Sequence, residues 1–88
     1  MLRAPEDFGD RELNLIYVAR KLKDALRLED VLTRAGVDYL VEADRYWIGT
    51  LFRRDRVGAF FYVIPEAEDA ARDTLRRAGF QPFDAEKS

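Results

Sequence analysis

"YVARKLKDALRLEDVLTRAG", residues 17–36, and "YVIPEAEDAARDTLRRAG", residues 62–79, open on the same Tyr-Val pair and close on the same Arg-Ala-Gly. Between those ends each carries a charged turn and an Asp-Ala pair, Asp24-Ala25 and Asp69-Ala70, and the second copy is two residues shorter inside its helix. A strand end that runs through a charged turn into a helix, and does so twice, sets the fold reading.

Working outward, the first helix presents Leu22, Ala25, Leu26, Leu28, Val31, Leu32 and Ala35 as an apolar face at three-and-four spacing. The second does the same with Ala67, Ala70, Ala71, Leu75 and Ala78. Pro65 suits a first helical position, and Glu66, Glu68 and Asp69 suit the positive helix end. Arg76 and Arg77 suit the negative end, and Gly79 is placed for a left-handed cap. Strand signals lie at 13–19 ("LNLIYVA"), 37–43 ("VDYLVEA") and 57–64 ("VGAFFYVI"). A weaker one lies at 80–83 ("FQPF"), where Pro82 marks an edge. The order βαββαβ predicts an α+β fold, a ferredoxin-like sandwich of two interleaved right-handed βαβ halves. Its antiparallel sheet would have the order 4-1-3-2, with both helices on one face. Residues 1–88 form one domain in this reading, with 1–12 an N-terminal extension, 13–83 the core and 84–88 a tail.

Composition narrows the chemistry. With 88 residues, 48% hydrophobic and 36% charged, the chain reads as globular with a thin core. Neither Cys nor His occurs, so disulfides, imidazole or thiolate metal sites and His-assisted nucleophiles are excluded. Ser occurs only at position 88, and Thr33, Thr50 and Thr74 have no evident base. Glu29 and Asp30 are adjacent and cannot face each other on a helix. No enzyme, cofactor or metal site is therefore expected. The start "MLRAPEDFGDRE" lacks the apolar run of a secretory signal, and no stretch is apolar enough for a membrane span, so a cytoplasmic location is expected.

Strand alternation assigns Ile16, Val18, Val37, Tyr39, Val41, Ala59, Phe61 and Val63 to the helix-covered face. The other face receives Leu15, Tyr17, Leu40, Phe60 and Tyr62, an apolar patch that calls for a cover. A homodimer stacked through this face, or the chain's own loop, is the expected cover, and a ligand platform is the alternative. The loop in question is "DRYWIGTLFRRDR", residues 44–56. Its Tyr46, Trp47, Ile48, Leu51 and Phe52 are expected to fold back as a flap, with Gly49 giving the bend.

The same topology sorts the charges. Arg20, Lys21 and Lys23, then Arg45, Arg53, Arg54 and Arg56, then Arg76 and Arg77 share one end of the sheet. Glu6, Asp7, Asp10, Asp38, Glu66, Glu68, Asp69, Asp84 and Glu86 collect at the other, so a net charge of −2 hides a dipolar molecule. Lys21 and Lys23 stand where the second copy has Glu66 and Glu68, against a positive helix terminus. That placement opposes stability and suits a small anion or an acidic protein partner at Arg20, Lys21, Lys23, Arg53, Arg54 and Arg56. The bland alternative is a set of solvated lysines.

Acylphosphatases share the inferred fold, but nothing here matches their glycine-rich arginine loop. RNA-recognition domains share it too, and Ile16-Tyr17-Val18, Arg56 and Phe60 match their strand pattern. Tyr17 and Phe60 would then stack bases of single-stranded RNA. Against it, Val57, Gly58 and Val63 replace pattern residues and the pI is ≈ 5.1, so nucleic acid is not the expected partner.

The stretch 17–42 followed by "FFYVIPEAEDAARDTLRRAGF" carries Ala35-Gly36-Val37 and Ile64-Pro65-Glu66. On these residues the chain resembles, over roughly 13–80, a small bacterial family described as signal-transducing proteins. In that family a helix ends in alanine-glycine before an aliphatic strand, and a valine-proline-glutamate turn opens an alanine-rich helix. The resemblance implies a ferredoxin-like domain similar to nitrogen-regulatory proteins, without known catalysis and with no binding residues to carry over. The long aromatic and basic connection departs from the family. The expected function is a non-catalytic regulatory or signalling-type binding module; alternatives are a single-stranded RNA binder and a purely structural homodimeric interaction domain.

Overall fold

Tyr, Phe and Val crowd the segment 57–63, and that segment becomes the centre of the sheet. The computed structural model describes residues 1–45 and 57–83. Along the chain come β1 (Asn14–Ala19), α1 (Leu22–Arg34), β2 (Leu40–Arg45), β3 (Val57–Val63) and α2 (Glu68–Arg77). Short 3-10 turns occupy Pro5–Phe8 and Pro65–Ala67. The strand order is β1-β3-β2, and β3 runs antiparallel to both neighbours. This is a small α+β arrangement of a three-stranded antiparallel sheet and two helices. Ala25, Leu28 and Leu32 of α1 join Ala71 and Leu75 of α2, Phe61 and Val63 in one buried cluster, so both helices cover the same face of β3.

The repeated Arg-Ala-Gly endings do the same physical work in both helices. Gly36 and Gly79 sit at φ 74° and 91°, a region glycine enters without strain. At the first end, Gly36 N–H donates to Thr33 O (3.1 Å) and Val37 N–H to Leu32 O (3.0 Å). At the second, Gly79 N–H donates to Arg76 O (3.0 Å) and Phe80 N–H to Leu75 O (2.9 Å). These are paired Schellman closures, each leading an apolar residue back over the buried leucine of the last turn.

Not all of the expected apolar stripe is buried. Leu22 and Leu26 are 75% and 57% exposed, and Ala35 and Ala70 are exposed as well. α1 meets the sheet along the line Ala25–Leu28–Leu32, and Leu22 and Leu26 lie roughly a quarter to a third of a turn away from that line.

The larger correction concerns β1. Leu15 faces Tyr62, but Tyr17, not Ile16, faces Phe61, so a β-bulge at Ile16 shifts the register by one residue. Every side chain beyond it changes face. Tyr17 now packs against the helix-side core, and Val18, opposite Phe60, turns to the open face. The burial of both Ile16 and Ala19, three positions apart, is the mark of that shift.

Residues 80–83, expected as a fourth strand, are irregular. They still lie beside β1: Phe83 N–H donates to Ile16 O (2.6 Å), Phe80 meets Tyr17 edge-on at 5.4 Å, and Arg72 donates to the Phe83 carbonyl. Pro82 has no N–H to give, so a continuous ladder cannot form. β2 begins at Leu40 rather than at Val37, because the Val37 N–H closes α1 and Tyr39 pairs elsewhere. Its N–H donates to Met1 O (3.0 Å) and its carbonyl accepts Arg3 N–H (2.8 Å), through a parallel bridge between Leu2 and Tyr39. The start of the expected N-terminal extension is thus part of the sheet edge.

Candidate functional site

The site grows from the turn between β1 and α1. Ala19, buried at the end of β1, fixes where the chain leaves the core, and Arg20, Lys21, Leu22 and Lys23 follow it, all exposed. Lys21 is the N-cap, with extended backbone and no side-chain capping bond, and the first intrahelical bond is Ala25 N–H to Lys21 O (3.0 Å). A lysine cannot accept a hydrogen bond, so it caps none of the free N–H groups of the first turn. Asp24 is the acid of that turn; it is half-buried and, after desolvation, helps hold the Tyr17 phenol above its usual range.

The end of α2 lies beside this turn. Arg27, on the second turn of α1, donates to the Ala78 carbonyl (3.0 Å) and holds its guanidinium 5.2 Å from the centre of the Phe80 ring. The last turn of α2, with Arg76 and Arg77, therefore joins the same end of the sheet as Arg20, Lys21 and Lys23. Arg45 ends β2, which runs parallel to β1 and so finishes at this end too. Arg53, Arg54 and Arg56, and the flap residues Tyr46, Trp47, Ile48, Leu51 and Phe52, lie outside the described residues.

What separates the turn between β1 and α1 from the rest is that its three cations have no ion-pair partner among the described residues. Five other arginines are ion-paired: Arg3 with Asp38 (3.2 Å), Arg11 with Glu66, Arg34 with Asp30 (3.0 Å), Arg72 with Glu68 (2.8 Å) and, at this same end, Arg77 with Asp73 (2.8 Å); Arg27 and Arg76 have no such pair among the described residues. Those partners pull Asp38, Glu66 and Glu68 below the usual carboxylate range, chiefly through hydrogen bonds from Arg3, Arg11 and Arg72. At the acidic end, Asp38, Glu66 and Glu68 are thus satisfied from within. Arg20, Lys21 and Lys23 have no carboxylate within 4.0 Å among the described residues. Three unpaired cations at a lysine-capped helix start can donate charge-assisted hydrogen bonds to carboxylate or phosphate oxygens.

Comparison of this chain with profiles of known families, with curated proteins and with solved structures finds no match.

The sheet-face residues fare differently from expectation. Leu15, Leu40, Phe60 and Tyr62 do occupy the open face: Tyr62 faces Leu15 and Leu40, and Phe60 stands two residues from it along β3, on the same side. Tyr17 is on the other side, and Val18 takes its place. Leu40 is only 6% exposed and the others are half-buried, so this face is partly covered within one chain. Sequence reading missed the exposed pair Leu22 and Leu26. The signal was present: an apolar stripe running 22, 25, 26, 28, 31, 32, 35 is broader than one sheet contact can bury. Among the described residues, no group of three or more acids is placed to hold a metal, and no buried side-chain polar atom lacks a partner. No described helix is long and apolar enough to cross a membrane.

Proposed function

We propose that this chain is a non-catalytic regulatory binding module that takes an anionic group at the end of the sheet where β1 passes into α1. The observation that carries the reading is that Arg20, Lys21 and Lys23 stand together without an ion-pair partner among the described residues, whereas Arg3, Arg11, Arg34, Arg72 and Arg77 each find an acid. Cations that oppose a helix dipole are kept at a loss of stability, roughly 0.3–1 kcal/mol each, which a bound anion reverses. The absence of His and Cys supports the non-catalytic part. We read the architecture as ferredoxin-like, with residues 80–83 holding the place of the fourth strand beside β1. The resemblance to the signal-transducing family runs in the same direction.

The RNA reading loses its support, because Tyr17 and Phe60 lie on opposite faces of the sheet and cannot stack neighbouring bases. The half-buried open face weakens the case for a homodimer through it. The test is a titration with phosphate and citrate, following the backbone amides of residues 20–24 by NMR. Saturable shifts there, lost in Lys21→Glu/Lys23→Glu, are the expected result. Flat shifts at millimolar anion would overturn it.

A further inference from the structure

Resting on the binding reading above, we propose that Leu22 and Leu26 make this end a docking surface for an acidic amphipathic segment of a partner protein. They are 75% and 57% exposed, whereas Ala25, Leu28 and Leu32 of the same helix are 7%, 0% and 0% exposed. Four residues apart, they form one row along the helix surface. Lys23 and Arg27, each one residue further on, form the row beside it, and Arg20 and Lys21 close the N-terminal end. The surface is therefore apolar along one line and cationic on two sides.

Small anions need the cations and have no use for the leucines. An amphipathic segment uses both, since its own apolar residues at i and i+4 match the spacing of Leu22 and Leu26 while flanking carboxylates meet Lys21, Lys23 and Arg20. The patch is about two helical turns long, and its excess of positive charge ends beyond it, where Asp30, exposed one turn further along α1, is paired with Arg34 (3.0 Å). A flat anionic membrane would extend over that neutral pair and gain no further charge contact there. A short acidic segment meets the first two turns alone, and on this ground the partner is a protein. Contact this small belongs to weak, exchanging complexes.

The probe is a synthetic helical peptide of about sixteen residues with Leu at i, i+3, i+4 and i+7 and Glu on its flanks, long enough for partial helicity. Three controls accompany it: the same peptide with every Leu replaced by Gln, the protein variant Leu22→Gln/Leu26→Gln, and phosphatidylglycerol vesicles. Expected are amide shifts at residues 20–27 on peptide addition, with binding at least tenfold weaker for the Gln peptide and for the double variant. The double variant should keep the wild-type response to citrate, which separates this proposal from the anion reading beneath it.

Equal binding by the Gln peptide or by the double variant would mean charge attraction alone, and would overturn the proposal while leaving the anion reading intact. Vesicle binding without peptide binding would assign the ridge to a membrane and overturn it. A shift in Trp47 fluorescence on Leu22→Gln/Leu26→Gln, with no peptide binding to wild type, would assign the ridge to the chain's own 44–57 segment and overturn it too.

Discussion

Replacing Tyr17 with Ala tests the bulge, the feature on which the assignment of the sheet faces depends. In the register of β1 on β3, Tyr17 packs on the helix-side core and meets Phe80 edge-on, with ring centres 5.4 Å apart. Removing a half-buried ring from such a place costs about 2–3 kcal/mol in lost burial and packing. About 0.5–1.5 kcal/mol of that belongs to the ring pair itself. For a domain of this size, the total corresponds to a fall of roughly 10–20 °C in Tm. The assay is urea unfolding followed by circular dichroism on wild type, Tyr17→Ala, Phe80→Ala and the double variant. The cycle isolates the pair, provided the slope with denaturant stays constant. A residue standing on the open face would have no energetic tie to Phe80. A Tyr17→Ala loss below about 0.5 kcal/mol, or a coupling energy inside the roughly 0.3–0.5 kcal/mol error of such cycles, would refute the register and return Tyr17 to the open face.

Two further predictions concern the ties that close the fold. Glu68 is held below its usual pKa by hydrogen bonds from Arg72 and Asn14, so its contribution is fully present above the unfolded carboxylate value of about 4.3 and is lost as pH falls through the lower folded value. Glu68→Gln should therefore be less stable than wild type by a constant amount from neutral pH to about pH 5, and the gap should shrink below about pH 4; a gap that widens on acidification would contradict the sign. Gly79→Ala, at φ 91° with nothing within 4 Å of the added methyl, should cost about 1–2 kcal/mol through backbone strain alone, and a neutral result in thermal melts would mean that the Schellman closure relaxes freely.

Much of the molecule is legible from residue types alone. The two helices, their glycine closures and the central β3 follow from local chemistry: apolar spacing, Pro65 at a helix entry, and the positive φ that glycine accepts without strain at Gly36 and Gly79. The convergence of Arg20, Lys21 and Lys23 with the end of α2 also follows, because topology and element order fix which ends of the elements meet.

Tertiary structure decided the rest. "LNLIYVA" is apolar at both parities, so its alternation cannot reveal which side faces the helices; the bulge at Ile16, whose carbonyl accepts the Phe83 N–H, resolves that, and a register is a property of two strands together. Residues 80–83 have strand-like side chains, but pairing is a property of two chains at once, and Pro82 leaves the Phe83 N–H to make the contact with Ile16. The exposure of Leu22 and Leu26 is likewise a matter of fit. Helical spacing determines which residues share a stripe, and only the angle at which the helix lies on the sheet determines how much of that stripe is buried.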